Sequence, residues 1–155
     1  MSSHRLLVLG GARSGKSRYA QKRAEASAGA PVFIATADAF DDEMRARIAR
    51  HRADRDARWD CIEAPLALAP TIDALSGQGK VVLVDCLTLW LTNLILAEAD
   101  WRAETNALTA EIARQRSDVI FVGNEVGLGI VPETALGRSF RDAAGWVNQA
   151  VATAC

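Results

Sequence analysis

The stretch GGARSGKS, residues 10–17, decides the fold of this chain. It satisfies the pattern GxxxxGK(S/T), in which two glycines enclose a four-residue turn and a lysine and a hydroxyl residue follow. The apolar run LLVLG, residues 6–10, leads into the pattern, and a helix-forming run follows it. A glycine-rich turn could fit the pattern by chance, but the order strand, loop, helix is the context that a phosphate-binding loop (P-loop) requires.

A P-loop binds phosphate mainly through its backbone. Glycines let the chain curl so that successive N–H groups point at phosphate oxygens, and the start of the following helix adds its dipole. We expect Lys16 to reach the β and γ phosphates and the Ser17 hydroxyl to bind Mg²⁺. The expected nucleotide-binding residues of the loop are Gly10, Gly11, Ala12, Arg13, Ser14, Gly15, Lys16 and Ser17.

Composition favours one globular domain over residues 1–155. Half of the 155 residues are hydrophobic, which is enough to build a core. The formal net charge of -1 gives no basic footprint, so a nucleic-acid partner is not expected. The three cysteines form no CxxC pair, which argues against a disulfide framework or a zinc site. We expect a cytoplasmic protein, because the first residues also lack the pattern of a signal peptide.

Short apolar runs alternate with helical stretches along the chain. Residues 81–97 form the longest apolar run, but polar residues interrupt it, so we predict a buried strand entering a helix rather than a membrane span. The alternation predicts an α/β fold of the P-loop type, with a mainly parallel sheet flanked by helices on both faces. The predicted strands are 6–10, 31–37, 81–85 and 119–124, and the predicted helices are 16–28, 41–55, 87–97, 101–116 and 133–153.

Asp85 ends the apolar run VVLVD and should therefore lie at the carboxyl edge of the sheet, where such folds bind ligands. A second Mg²⁺ contact of a P-loop enzyme is expected there. The alternative is that Asp85 caps the helix that begins near Leu87. We place Asp85, together with Glu63, among the expected nucleotide-binding residues.

The segment NEVGLGIVPE, residues 124–133, follows the last predicted strand and should open at the same edge. Its two glycines, Gly127 and Gly129, indicate a close backbone approach, and the Pro-Glu pair at its end suits a helix start near residue 133. Glu125 could bind metal or accept a hydroxyl proton, or it could be a solvated carboxylate in a tight loop.

Two arginines follow on the next predicted helix. Arg138 and Arg141 are three residues apart and could hold phosphate. Surface ion pairs with Asp142 or Glu133 would give the same pattern, so both interpretations stay open.

The stretch RIARHRADR, residues 47–55, places His51 among arginines. In a helix, positions 43, 47, 51 and 55 share one face, which puts Arg47 and Arg55 one turn either side of His51. We expect their charges to keep the imidazole unprotonated near neutrality and to offer donors to phosphate. The alternative is a solvated helix with an incidental histidine.

These segments together resemble a known family. They are GGARSGKS, ATA, DDEMRARIARHRADRDARW, VDCLTLWLTNL and NEVGLGIVPETALGRSFRDAAGWVNQ. They look like the bifunctional adenosylcobinamide kinase/adenosylcobinamide-phosphate guanylyltransferase family of cobalamin biosynthesis. The resemblance covers most of the chain, and the last three segments are far more specific than the P-loop alone.

The resemblance implies two reactions on a corrinoid substrate. A nucleoside triphosphate, ATP or GTP, phosphorylates the aminopropanol hydroxyl, and GMP is then transferred from GTP to that phosphate with release of pyrophosphate. The family's guanylylated histidine matches His51, and its frequent second histidine is replaced here by Arg50. The resemblance also implies Mg²⁺, a cytoplasmic homo-oligomer, commonly a trimer, and a further strand after Cys155. The alternative function is a plain P-loop small-molecule kinase without a covalent intermediate.

Overall fold

The computed structural model describes residues 2–38 and 42–155, except for the side chains at positions 44, 47 and 51. Within them, five strands form one parallel sheet in the order β1-β5-β4-β2-β3. The strands are β1 (Arg5–Gly10), β2 (Ala30–Ala35), β3 (Asp60–Glu63), β4 (Lys80–Asp85) and β5 (Asp118–Asn124). The helices in the same ranges are α1 (Lys16–Glu25), α2 (Asp42–Ala53), α3 (Leu68–Leu75), α4 (Leu87–Leu96), α5 (Trp101–Arg114) and α6 (Ala135–Ala154).

Both faces of the sheet are buried, as the apolar runs predicted. In β4, Val81 and Leu83 belong to the core beneath α1, whereas Val82 and Val84 belong to the core that α3, α4, α5 and α6 cover. This alternation follows from the two-residue period of a strand. A strand buried on both sides needs apolar residues at every position, which explains the continuous run. The expected α/β fold with helices on both faces is confirmed.

The structure adds two elements that the sequence reading missed, β3 and α3. β3 is only four residues long, begins and ends with an acidic residue, and pairs with β2 alone at the edge of the sheet. α3 contains Pro70 in its first turn, where proline is tolerated but reads in a sequence as a helix break. The sequence predicted four strands, whereas the described residues form five.

Several predicted helix ends were wrong by two or three residues. α1 ends at Glu25 rather than 28, α2 at Ala53 rather than 55, and α5 at Arg114 rather than 116. α6 begins at Ala135 rather than near 133, because the Thr134 hydroxyl accepts a hydrogen bond from Gly137 N at 3.0 Å and so caps the helix. Across the described ranges, the longest apolar helical stretches fall short of what a bilayer crossing requires.

Candidate nucleotide site

The P-loop joins β1 to α1, as its motif predicted. Gly15 lies directly before α1 with φ of 89°, a left-handed conformation that favours glycine. The first backbone hydrogen bond of the helix is donated by Tyr19 N to Gly15 O at 3.0 Å. The N–H groups ahead of Tyr19 therefore precede the helical bonding pattern and are free to bind an anion, which the helix dipole also favours.

Lys16 and Ser17 occupy the first turn of α1. The Lys16 ammonium donates to Gly11 O at 2.9 Å, so it lies over the phosphate-binding loop. Ser17 is exposed at the mouth of a cavity of about 230 Å³. The loop residues thus stand together at the carboxyl edge of the sheet, where parallel α/β folds bind ligands.

Asp85 lines the same cavity as Ser17. It is the last residue of β4, and Cys86, not Asp85, caps α4: the Cys86 sulfur accepts a hydrogen bond from Leu89 N at 3.5 Å. The capping alternative for Asp85 is therefore wrong. A hydroxyl and a carboxylate oxygen are ligands that Mg²⁺ prefers, and it usually takes the rest from water and substrate phosphates. The two side chains fit such a site.

A buried hydrogen-bond network holds the end of β4. Thr36, which follows β2 and is fully buried, donates its hydroxyl proton to Cys86 O at 2.7 Å and accepts from Cys86 N at 2.8 Å. Asn93 of α4 donates to Thr36 O at 2.7 Å and to Pro65 O at 3.0 Å. Thr36 thereby holds both backbone groups of the residue next to Asp85, and Asn93 in turn holds Thr36. Burial also raises the pKa of the Cys86 thiol above its ordinary value.

The network was not identified from the sequence, although ATA and VDCLTLWLTNL were recognised as family segments. The available signal was chemical: Thr36 and Asn93 are polar residues within otherwise apolar stretches. Buried polar groups need partners, but the sequence does not reveal that these partners lie 50 and 57 residues away.

Arg55 lines the cavity from outside α2. Because α2 ends at Ala53, the prediction that Arg55 continues one helical stripe with positions 43, 47 and 51 was wrong. Its guanidinium carbon lies 3.6 Å from the centre of the Phe33 ring, and one terminal nitrogen is 3.3 Å from the Cys61 sulfur. The Arg55 Nε is buried and has no hydrogen-bond partner within the described part of the chain.

The cavity wall also includes Ile48 and Arg52 of α2. Arg52 forms an exposed ion pair with Glu63 at 3.3 Å, and Glu63 lines a neighbouring shallow cleft with Arg52 and Ile48. Glu63 is therefore connected to the cavity through Arg52, and its predicted role at the nucleotide stays a prediction. The predicted side-chain roles of Arg47 and His51 lie outside the described side chains, while the backbone at both positions belongs to α2.

The segment after β5 opens beside the P-loop, as expected. Glu125 N donates to Gly10 O at 2.8 Å, which ties the segment to the first residue of the motif. The Glu125 carboxylate accepts from Gly127 N at 2.6 Å, so it braces a tight turn. Gly127 indeed has a close neighbour, whereas Gly129 has open space around its α-carbon.

Both candidate phosphate arginines already have protein partners. Arg138 donates to the carbonyl oxygens of Pro132 at 2.8 Å and Glu133 at 2.9 Å, so its partner is the Glu133 backbone rather than its carboxylate. Arg141 forms an ion pair with Asp142 at 3.1 Å. A phosphate role for either residue stays a prediction.

A phosphate loop at the start of α1, with a hydroxyl and a carboxylate sharing one cavity at the carboxyl edge of a parallel sheet, defines a P-loop nucleotide-binding protein of the α/β class.

The chain belongs to the cobinamide kinase / cobinamide phosphate guanyltransferase family, whose model matches residues 6–155. It is 50% identical over 151 residues to the bifunctional adenosylcobalamin biosynthesis protein CobP of Pseudomonas aeruginosa, covering 96% of this chain and 87% of that protein. It is 44% and 42% identical over 164 residues to the bifunctional adenosylcobalamin biosynthesis proteins CobU of Escherichia coli and Salmonella typhimurium, covering 96% of this chain and 90% of each. The resemblance drawn from the sequence is confirmed.

Proposed function

We propose that this chain is a bifunctional enzyme that phosphorylates cobinamide and then transfers GMP from GTP to cobinamide phosphate. The observation that carries the proposal is the phosphate loop with Ser17 and Asp85 in one cavity, on a chain that the family model matches over residues 6–155. One nucleotide site on one domain serves both reactions.

In the kinase step, the aminopropanol hydroxyl oxygen attacks the γ-phosphorus. A new O–P bond forms, the bond from the γ-phosphorus to its bridging oxygen breaks, the nucleoside diphosphate leaves, and the hydroxyl proton passes to solvent. The backbone N–H groups of the loop and Lys16 hold the transferring phosphate, which concentrates positive charge where negative charge builds. Ser17 and Asp85 would hold Mg²⁺, which would supply positive charge against the phosphates when bound.

In the guanylyl step, we assign the nucleophile to His51. Its ring nitrogen attacks the α-phosphorus of GTP, a P–N bond forms and pyrophosphate leaves; the phosphate of cobinamide phosphate then displaces the histidine. Helical spacing supports the assignment, because position 51 is three residues from Ile48, which lines the cavity.

Arginines supply the charge for this step. Arg55 lines the cavity, and its buried Nε has no acceptor among the described residues, so it is a candidate donor to a ligand. We propose that Arg55, with Arg47, stabilises the charge that develops on the α-phosphate and screens the incoming phosphate. Glu63 orients Arg52, and Glu125, Arg138 and Arg141 remain candidates for contacts with substrate or phosphate.

The remaining proposals concern the setting of the enzyme. We propose that it requires Mg²⁺, accepts ATP or GTP in the kinase step, and acts in the cytoplasm as a homo-oligomer, specifically a trimer. The family resemblance supports these points, and sedimentation velocity of the purified chain measures the last of them.

Product analysis tests the function. The protein is incubated with cobinamide and ATP, then with GTP, and the corrinoids are separated by chromatography. Cobinamide phosphate should form first, followed by cobinamide-GDP and one pyrophosphate per GMP transferred. His51→Ala should stop at cobinamide phosphate. If His51→Ala completes the second step at the wild-type rate, the histidine assignment is wrong; if neither corrinoid product forms, the function is wrong.

A further inference from the structure

The segment after Glu125 exposes several apolar side chains close together in the sequence. We call residues 126–131 the apolar loop. Leu128 is 91% exposed and Ile130 is 99% exposed, while Val126 and Val131 are 40% and 59% exposed. The loop carries no charged residue. Contiguous exposed apolar side chains in a folded protein mark a binding surface, because covering them removes apolar area from water.

Both ends of the apolar loop are anchored. At its start, Glu125 N bonds to Gly10 O at 2.8 Å and the Glu125 carboxylate bonds to Gly127 N at 2.6 Å. At its end, Arg138 bonds to Pro132 O at 2.8 Å and Glu133 O at 2.9 Å. The apolar side chains are therefore presented from a fixed base that touches the first residue of the P-loop.

The size of the substrate restricts where it can lie. The cavity beside Ser17 and Asp85 measures about 230 Å³, below the roughly 300–1,000 Å³ of pockets that enclose drug-sized ligands. A corrinoid is larger than such ligands, so its macrocycle cannot lie inside the cavity. The aminopropanol arm must nevertheless bring its hydroxyl to a phosphate held by the P-loop, which requires the macrocycle to rest on a surface next to that loop.

We propose that the apolar loop binds the hydrocarbon face of the corrinoid macrocycle and so positions its arm at the P-loop. This inference rests on the proposed function, because the corrinoid is the substrate of that function. The apolar loop meets both requirements: it adjoins Gly10, and it offers an uncharged apolar surface to a ring too large for the cavity. Leu128 and Ile130 are the principal contacts, as they project furthest.

The test compares two double variants. One combines Leu128→Ser and Ile130→Ser; the other combines Leu128→Met and Ile130→Met, which keeps the surface apolar. Leu96→Ser is the matched control, because Leu96 is 65% exposed at the end of α4, outside the loop. Such exposed positions tolerate substitution, and denaturant unfolding verifies it. Equilibrium dialysis measures cobinamide binding by its visible absorbance, GTP binding is measured in parallel, and sedimentation velocity gives the oligomeric state at the same protein concentrations.

The serine double variant should bind cobinamide at least about tenfold more weakly, which corresponds to about 1.4 kcal/mol. GTP binding should be unchanged, and the methionine variant and Leu96→Ser should match the wild type. Unchanged cobinamide binding in the serine variant overturns the proposal. It is also overturned if that variant dissociates into smaller species and recovers wild-type binding at concentrations where it reassembles, because the loop then binds a second copy. Failure of the wild type itself to bind cobinamide, with GTP binding intact, would refute the proposed function instead.

Discussion

Replacing Thr36 by valine should destabilise the protein and also weaken the proposed Mg²⁺ site. Valine keeps the shape of threonine but removes the hydroxyl that donates to Cys86 O at 2.7 Å and accepts from Cys86 N at 2.8 Å. Thr36 is fully buried, so water cannot replace either bond. Cys86 N would be left without this partner, whereas Cys86 O would keep the hydrogen bond from Trp90 N at 3.2 Å.

The expected loss of unfolding free energy is about 2–4 kcal/mol. A net hydrogen bond contributes about 0.5–1.5 kcal/mol, and a buried group left without a partner costs about 1–3 kcal/mol. Thr36 N still bonds to Asp85 O at 3.4 Å in the variant, and Asn93 still bonds to Thr36 O, so the segment loosens rather than detaches. Asp85 then holds Mg²⁺ less well, and the Mg²⁺ midpoint for nucleotide binding should rise several-fold.

Urea unfolding and Mg²⁺ titration of nucleotide binding measure the two effects. Thr36→Ser keeps the hydroxyl and should restore the metal midpoint. Thr105→Val is the matched control, because Thr105 is equally buried and its hydroxyl donates to the Trp101 carbonyl, four residues earlier in α5. The control should lose about 1 kcal/mol or less and leave the metal midpoint unchanged. The reasoning is refuted if Thr36→Val behaves like Thr105→Val in both measurements.

Three further substitutions test individual groups. Lys16→Ala should slow both the kinase and the guanylyl reactions, because it should raise each activation barrier by about 3–4 kcal/mol. A reaction that keeps its rate in a steady-state assay would need a second nucleotide site. Asp85→Asn should raise the Mg²⁺ midpoint for nucleotide binding at least about tenfold, and an identical titration would remove Asp85 from the metal site. Burial raises the pKa of the Cys86 thiol, so the folded chain keeps that proton to higher pH than the unfolded chain, and stability should fall as pH rises above about 8.5. Cys86→Ser, which keeps a capping oxygen, should show a shallower alkaline loss in urea unfolding; equal slopes would refute this contribution.

The parts of the fold that the sequence predicted are those with local signals. The P-loop combines a short motif with its flanking strand and helix, and the strands buried on both faces read as continuous apolar runs. β3 escaped detection because it is an edge strand of four residues, two of them acidic. Its pairing with β2 depends on contacts between distant segments, which no short window contains.

In the candidate site too, the features predicted from the sequence were those with a local signal. Asp85 and Glu125 lie at the predicted edge of the sheet because each follows a recognisable strand, and parallel strands end at one edge. Their roles stay predictions. Arg55 lines the cavity, but not through the predicted helical stripe: α2 ends at Ala53, and the guanidinium stacks on Phe33 instead. Its nucleotide role stays a prediction. The Thr36 network depends on partners brought together only by the folded sheet.

The central claim is that one P-loop enzyme passes GMP through His51, and labelled GTP tests it most directly. The protein is incubated with Mg²⁺ and GTP alone, labelled at the α or the γ phosphate in separate reactions, and then denatured and separated from free nucleotide. We predict that only the α label stays on the protein, with release of pyrophosphate, in an acid-labile and base-stable phosphoramidate. His51→Ala should retain no α label while keeping its kinase activity. Retention of the γ label alone by the wild type, or of the α label by His51→Ala, would contradict the account.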